Sequence, residues 1–249
     1  MANFELISFP NDLALAQAVA NDWLSALEAA NRTGASQFVA LSGGRIARRF
    51  FISVAEMAKA RTASLARVHF FWADERCVPP TDPESNFALA NEHLFEPLNI
   101  TPEHIHRIPG ELSPPRAVVL AIAELSQFVP CNLAGQPVLD IVFLGQGEDG
   151  HVASLFPGEP EAVKTDRSIY RAVTASKPPP RRITTGYGTI AAARQVWVLA
   201  SGAGKEAALR DSLAAEGQTP LARVIKLRMH TKIFTDVFCA KANLPLQSR

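Results

Sequence analysis

Residues 139–151 read Leu-Asp-Ile-Val-Phe-Leu-Gly-Gln-Gly-Glu-Asp-Gly-His. Leu139 to Leu144 is apolar at nearly every position, which fits a strand buried on both faces of a parallel sheet. The glycine- and acid-rich turn that follows delivers His151 to the strand's carboxyl end. The stretch therefore predicts a central strand opening onto a chemically equipped loop.

Upstream, the same grammar occurs twice. Phe38 to Leu41 runs into Ser42-Gly43-Gly44-Arg45, and Val68 to Ala73 runs into Asp74-Glu75-Arg76. Downstream, Gln195 to Ala200 is another apolar strand, and Gly204 to Ala215 has helical character. Helical spacing also marks Asp12 to Ala30, with Leu15, Val19, Trp23 and Leu27 on one face and Gly34 as a stop. Ile46 to Ala60 places Phe50, Val54 and Met57 together, and a further helix is expected near Asn86 to Phe95. Ser113 as cap before Pro114 opens one more, to about Phe128. Phe4 to Phe9 is expected as an edge strand. Strands alternating with helices imply parallel βαβ units. No repeat, low-complexity tract or composition break divides the chain. The expectation is one domain over residues 1–249, an α/β fold with a mostly parallel sheet in a three-layer α/β/α sandwich. Ligands bind outside the carboxyl ends of parallel strands, so the three loops should lie side by side.

The 249 residues are 47% hydrophobic and 20% charged, ordinary for a globular chain. A net charge of +1, from 25 basic and 24 acidic side chains, argues against nucleic acid or an anionic membrane as the main partner. It leaves room for a small anionic ligand. Three cysteines, Cys77, Cys131 and Cys239, form no CxxC pair and read as reduced thiols. The beginning, MANFELISFPND, has no leader pattern, and no apolar run nears the ~20 residues of a membrane span. The expected location is the cytoplasm.

Gly145 to Gly150 matches the dinucleotide pattern G-x-G-x-x-G, but Glu148 and Asp149 would set carboxylates where a pyrophosphate should sit. A tight turn presenting Asp149 and His151 is the better reading. Asp149 could hold the imidazole in one tautomer, leaving it to take a proton from water; alternatively, the histidine merely closes a loop. Asp74-Glu75-Arg76 is either a solvated salt-bridge cluster or a site in which Arg76 meets an anion and an acid orients it. Ser42-Gly43-Gly44-Arg45 is either a plain turn or an anion loop at a helix start. Arg181, Arg182 and Lys205 add cations. His104 and His106 alternate along an expected strand, a metal pair without a visible third ligand. His69, His93 and His230 stand singly. Minority readings make Ser154 a nucleophile or Cys77 a thiol activated by Arg76.

The segments WADERCVPPTDPESNF, LGQGEDGHVASLFPG, PPPRRITTGYGTI and SGAGKEAAL, in this order, resemble the 6-phosphogluconolactonase family over about Phe38 to Ala240. The resemblance implies a Rossmann-like sandwich shared with glucosamine-6-phosphate deaminases and ribose-5-phosphate isomerases. It implies hydrolysis of 6-phospho-D-glucono-1,5-lactone in the pentose phosphate pathway, without metal or organic cofactor. The family's catalytic histidine falls on His151 with Asp149 beside it, its loop arginine on Arg76, and its phosphate-binding cations on Arg182 and Lys205. Asp74, Ser42, Gly43, Gly44 and Arg45 complete the expected substrate contacts.

In the sibling deaminases the aspartate loop reads closer to D-E-Y, and D-G-H continues as I-A-F-N-E-P. Arg76 and Ala153 to Pro157 favour the lactonase. One departure matters: the family's S-G-G-S-T-P is Ser42-Gly43-Gly44-Arg45-Ile46-Ala47 here. Arg45 is expected to contact the phosphate in place of the lost hydroxyls. The alternative is a drifted loop with weaker activity or another sugar preference. Besides lactone hydrolysis, a sugar-phosphate isomerase or deaminase and a non-catalytic sensor remain open. The expected partner is a phosphorylated sugar lactone, and the expected state a monomer or weak homo-oligomer.

Overall fold

The computed structural model describes residues 3–237; Cys239 and the end of the resemblance, at Ala240, lie outside them. Its strands are β1 (Phe4–Ser8), β2 (Gln37–Leu41), β3 (Val68–Trp72), β4 (Asp74–Arg76), β5 (Ile141–Gly145), β6 (Tyr170–Thr174), β7 (Arg181–Thr185), β8 (Gln195–Ala200) and β9 (Thr231–Thr235). Six form one sheet in the order β1-β9-β8-β5-β2-β3, with every pairing parallel. Helices flank it in an α/β/α sandwich, as the alternation of segments predicts. β5 lies inside the sheet, with Ile141 to Leu144 all buried; it pairs with β2 through Val39–Ile141 and with β8 through Val142–Val196.

Helix α1 (Asp12–Arg32) begins where the Asn11 side chain accepts a hydrogen bond from the Ala14 N–H at 2.9 Å. The stripe Leu15, Val19, Trp23 and Leu27 is wholly buried. The Trp23 ring packs edge-on against Phe143 at 5.2 Å and Phe70 at 6.3 Å. Phe50 of α2 (Arg45–Arg61) lies 5.8 Å from the same ring. Burying each such side chain contributes about 1.5–3 kcal/mol, so this aromatic knot fixes α1 and α2 to the strands that carry the loops.

The chain leaves β2 towards β3 on one side of the sheet and leaves β5 towards β8 on the other. The gap between β2 and β5 is thus the topological switch point, where the loops after the strands diverge and leave a crevice.

Five sequence expectations need correction. Asp74-Glu75-Arg76 is no loop but β4, one strand of a second, antiparallel sheet ordered β4-β7-β6. Helix Pro114–Phe128 starts where expected, but the Ser113 side chain makes no capping bond. The segment after β8 is a 3-10 turn, Ala203–Lys205, before helix Glu206–Leu213. The residues around His104 form another 3-10 turn, Pro102–His104, and only Ile105 bridges to Phe70. His69 is not isolated. Its Nδ1 lies 2.9 Å from His106 Nε2, and His106 Nδ1 lies 2.7 Å from Glu124 Oε1. Among the described residues, no group of His, Cys, Asp and Glu is arranged to hold a metal.

Candidate active site

The Ser42 hydroxyl donates to the Phe143 carbonyl at 2.9 Å, tying the loop after β2 to β5. Gly43 is needed for space, since a Cβ there would stand 1.9 Å from Asn86 Oδ1. Gly44, at φ 102°, then turns the chain into α2 without any side-chain cap. An uncapped helix start offers free backbone N–H groups and a positive dipole end, both favourable to an anion.

The loop after β5 folds back on itself. The Gly147 N–H donates to the His151 carbonyl at 2.8 Å, and the Gly150 N–H to the Gly147 carbonyl at 3.0 Å. A Cβ on Gly147 would stand 2.1 Å from His151 Nδ1, so the imidazole lies directly against bare backbone. His151 Nδ1 is 2.5 Å from Asp149 Oδ1. Burial pushes the Asp149 carboxyl up, but the charge and hydrogen bonds of His151 outweigh it and hold it below the ordinary range. An ionised carboxylate only accepts, so Nδ1–H is the donor in this pair, and the free nitrogen of the ring is Nε2.

Two arginines come from the second sheet. Arg76 and Arg182 are register partners in the antiparallel pair β4–β7. Arg76 Nη1 donates to the Glu84 carbonyl at 2.6 Å, with the Glu84 carboxylate 3.5 Å away. The acid that orients Arg76 therefore lies outside the Asp-Glu-Arg triplet. Arg182 Nε donates to the Pro179 carbonyl at 3.0 Å. Burial, and next the charge of Arg76, lower its pKa.

Glu75 has a different task. Its carboxylate accepts from the N–H groups of Arg76, Asn86 and Phe87 and from the Ser85 hydroxyl. It anchors the start of helix α3 (Asn86–Ala90) to β4. Burial pushes its carboxyl up to about 7 against those bonds.

Lys205 closes the rim from the loop after β8. Burial, then the charge of Arg45, lowers its pKa, while Asp236 and Glu148 raise it. Asp236 holds that loop by accepting from the Ser201 hydroxyl at 2.7 Å and the Gly202 N–H at 2.9 Å.

These elements enclose a cavity of about 130 Å³ whose wall includes nine of the ten sequence-derived residues: Ser42, Gly43, Gly44, Arg45, Asp74, Arg76, His151, Arg182 and Lys205. The tenth, Asp149, bonds to His151. Four cations share this wall with one carboxylate, Asp74. That carboxylate accepts from the Ser154 hydroxyl at 2.6 Å and from Asn86 Nδ2 at 3.3 Å. Asn86, Gln146 and Ala153 also line the cavity. Asn86 was visible in the sequence only as the S-N pair of the family segment. Ala153, at φ 49°, gives no local sequence sign of its strain.

The minority readings fail on burial. Ser154 is wholly buried and spends its proton on Asp74. Burial pushes the Cys77 thiol up, and the opposing cation is Arg181 rather than Arg76.

Fold and site define a Rossmann-like α/β protein with an acid-paired imidazole inside a cation-rich crevice. Residues 10–234 match the family described as Glucosamine-6-phosphate isomerases/6-phosphogluconolactonase. The 6-phosphogluconolactonase of Treponema pallidum (strain Nichols) is 35% identical over 209 residues, covering 84% of this chain and 84% of that protein. The 6-phosphogluconolactonase of Streptomyces coelicolor is 33% identical over 210 residues, covering 82% and 80%. The crystal structure of devB protein superposes with a TM-score of 0.85 at 29% identity, over 94% of this chain and 98% of that one. The chain belongs to the glucosamine-6-phosphate isomerase/6-phosphogluconolactonase family.

Proposed function

We propose that this chain hydrolyses 6-phospho-D-glucono-1,5-lactone to 6-phospho-D-gluconate in the pentose phosphate pathway, with His151 as general base. The observation that carries the reading is one cavity wall holding the imidazole of His151 together with Arg45, Arg76, Arg182 and Lys205. The names of the relatives point the same way.

A lactone carbonyl is already electrophilic, so the reaction requires neither a covalent nucleophile nor a metal or organic cofactor. His151 Nε2 takes a proton from water as the water oxygen bonds to C1. Arg76 stabilises the oxyanion of the tetrahedral intermediate. The bond from C1 to the ring oxygen then breaks, and the imidazolium returns its proton to that oxygen. Arg182, Lys205 and the Ser42–Arg45 loop hold the phosphate and so orient the ring. Asp74 keeps the Ser154 turn and Asn86 in register beside the substrate. The substrate is a free metabolite, and the cytoplasm is the proposed compartment.

The test is lactone consumption by purified protein, corrected for spontaneous opening. Turnover above that background supports the reading. Ammonia release from glucosamine-6-phosphate without lactone turnover replaces it with a deaminase. Binding of 6-phosphogluconate without any turnover replaces it with a sensor.

A further inference from the structure

We infer that Phe156 is a positioning residue for this reaction, its ring holding both the base and a phosphate-site cation. The inference rests on the lactonase reading above. The Phe156 ring centroid lies 5.1 Å from that of His151, and Arg182 Cζ stands 5.8 Å from the same centroid, over the ring. The polar partner of the His151 ring is Asp149, which fixes Nδ1 but not the tilt of the plane. Arg182 is held otherwise by the Pro179 and Lys177 carbonyls. A flat ring touching both restrains the imidazole plane and the guanidinium at once.

The turn between His151 and Phe156 contains a strained residue. Ala153 sits at φ 49°, a left-handed conformation unfavourable to a non-glycine residue. Bridges Gln146–Val152 and Val152–Leu155 tighten the turn. Ser154 pins it, its N–H on the Thr184 hydroxyl and its own hydroxyl on Asp74. Strain so firmly over-determined is a mark of function.

Phe156 also lines two neighbouring hollows of about 200 and 620 Å³. The ring is half-buried and does not itself line the reaction cavity; it reaches that cavity through His151 and Arg182, which do. Its negative face also favours a cation. It steadies Arg182 throughout, and the imidazolium while His151 carries the proton.

Phe156→Leu keeps an apolar side chain but removes the ring face, and Phe156→Tyr keeps the face. The expected result for Leu is a kcat about tenfold lower and a KM raised severalfold, with a thermal midpoint within about 2 °C of wild type. Tyr restores kcat to within about twofold. A Leu variant with wild-type kcat and KM overturns the inference. So does an equal kcat loss in Tyr and Leu, because the ring would then act only as shape. Absence of lactone turnover in the wild-type chain would instead sink the lactonase reading.

Discussion

Arg76 and Arg182 face each other across the antiparallel pair β4–β7, and both line the cavity. Like charges directly opposite in a sheet are destabilising. Their counter-charges are Glu84 on Arg76 and, more distantly for Arg182, Asp74. Two guanidiniums in that register fit a function in which an anion enters between the elements that carry them.

Removing Arg182 should therefore act on binding. A charge-assisted hydrogen bond contributes about 1.5–3 kcal/mol, which predicts a KM roughly 10- to 150-fold higher for Arg182→Ala. Inorganic phosphate should raise the thermal midpoint of the wild type and do so much less in the variant. Equal phosphate shifts in both would remove Arg182 from the phosphate site.

His151→Ala should lower kcat by about 10²- to 10⁴-fold, the usual contribution of a positioned general base. Titration with 6-phosphogluconate should give a Kd near the wild-type value, because the cations remain. Near-wild-type turnover would refute the base assignment.

Gly147→Ala tests the geometry rather than the chemistry. The added methyl would stand 2.1 Å from His151 Nδ1 and 2.7 Å from Asp149 Oδ1. The imidazole must move, and a misplacement of about 1 Å costs on the order of 10²-fold in rate. The expected outcome is a collapse in kcat with a folded circular-dichroism spectrum. An unchanged kcat would mean that the imidazole position is not critical.

How much of this was legible depended on the range of the signal. β5 is buried on both faces, so its unbroken apolar run announced it, and the loop it presents is contiguous with it. Helix α1 showed itself through Trp23 and its stripe. β4 gave no such sign: three residues, two of them acidic, carry no periodicity. Its partner β7 opens with Arg181 and Arg182, and their pairing is a long-range event. The Glu84 carbonyl that holds Arg76, and the return of Phe156 over His151, likewise arise from backbone turns that side-chain patterns do not encode.

Arg45 stands at the first turn of α2, where a cation opposes the helix dipole. No acidic residue shares that turn, and Lys205 feels its charge. An arrangement unfavourable on both counts makes sense if a phosphate dianion settles between them. Arg45→Ala should raise KM about five- to tenfold, near 1 kcal/mol for an exposed cation, and leave kcat close to wild type. An unchanged KM would show that the Ser42–Arg45 loop binds through backbone groups alone.

The pH response of stability separates two clusters of titratable groups, one around His69 and His106 and one around Glu75. Burial, and then neighbouring imidazoles, hold His69 below its ordinary value; burial does the same for His106 against the pull of Glu124. Both take up a proton less readily in the folded chain than in the unfolded one, where imidazoles protonate near about 6.5. Their stabilising contribution is thus complete above that value and is lost as pH falls through the lowered folded values. Glu75, pushed up to about 7 from 4.5, works in the opposite sense: its contribution is present below 4.5 and lost as pH rises through about 7. The two trends overlap between pH 5 and 7, so the wild-type midpoint alone decides nothing. The informative quantity is the difference in thermal midpoint between wild type and His69→Gln. That difference should shift against the wild type as pH falls from about 7 to 5, because only the wild type keeps a proton site at residue 69 that unfolding exposes. A difference that stays constant over that range would mean that His69 titrates alike in the folded and unfolded chain.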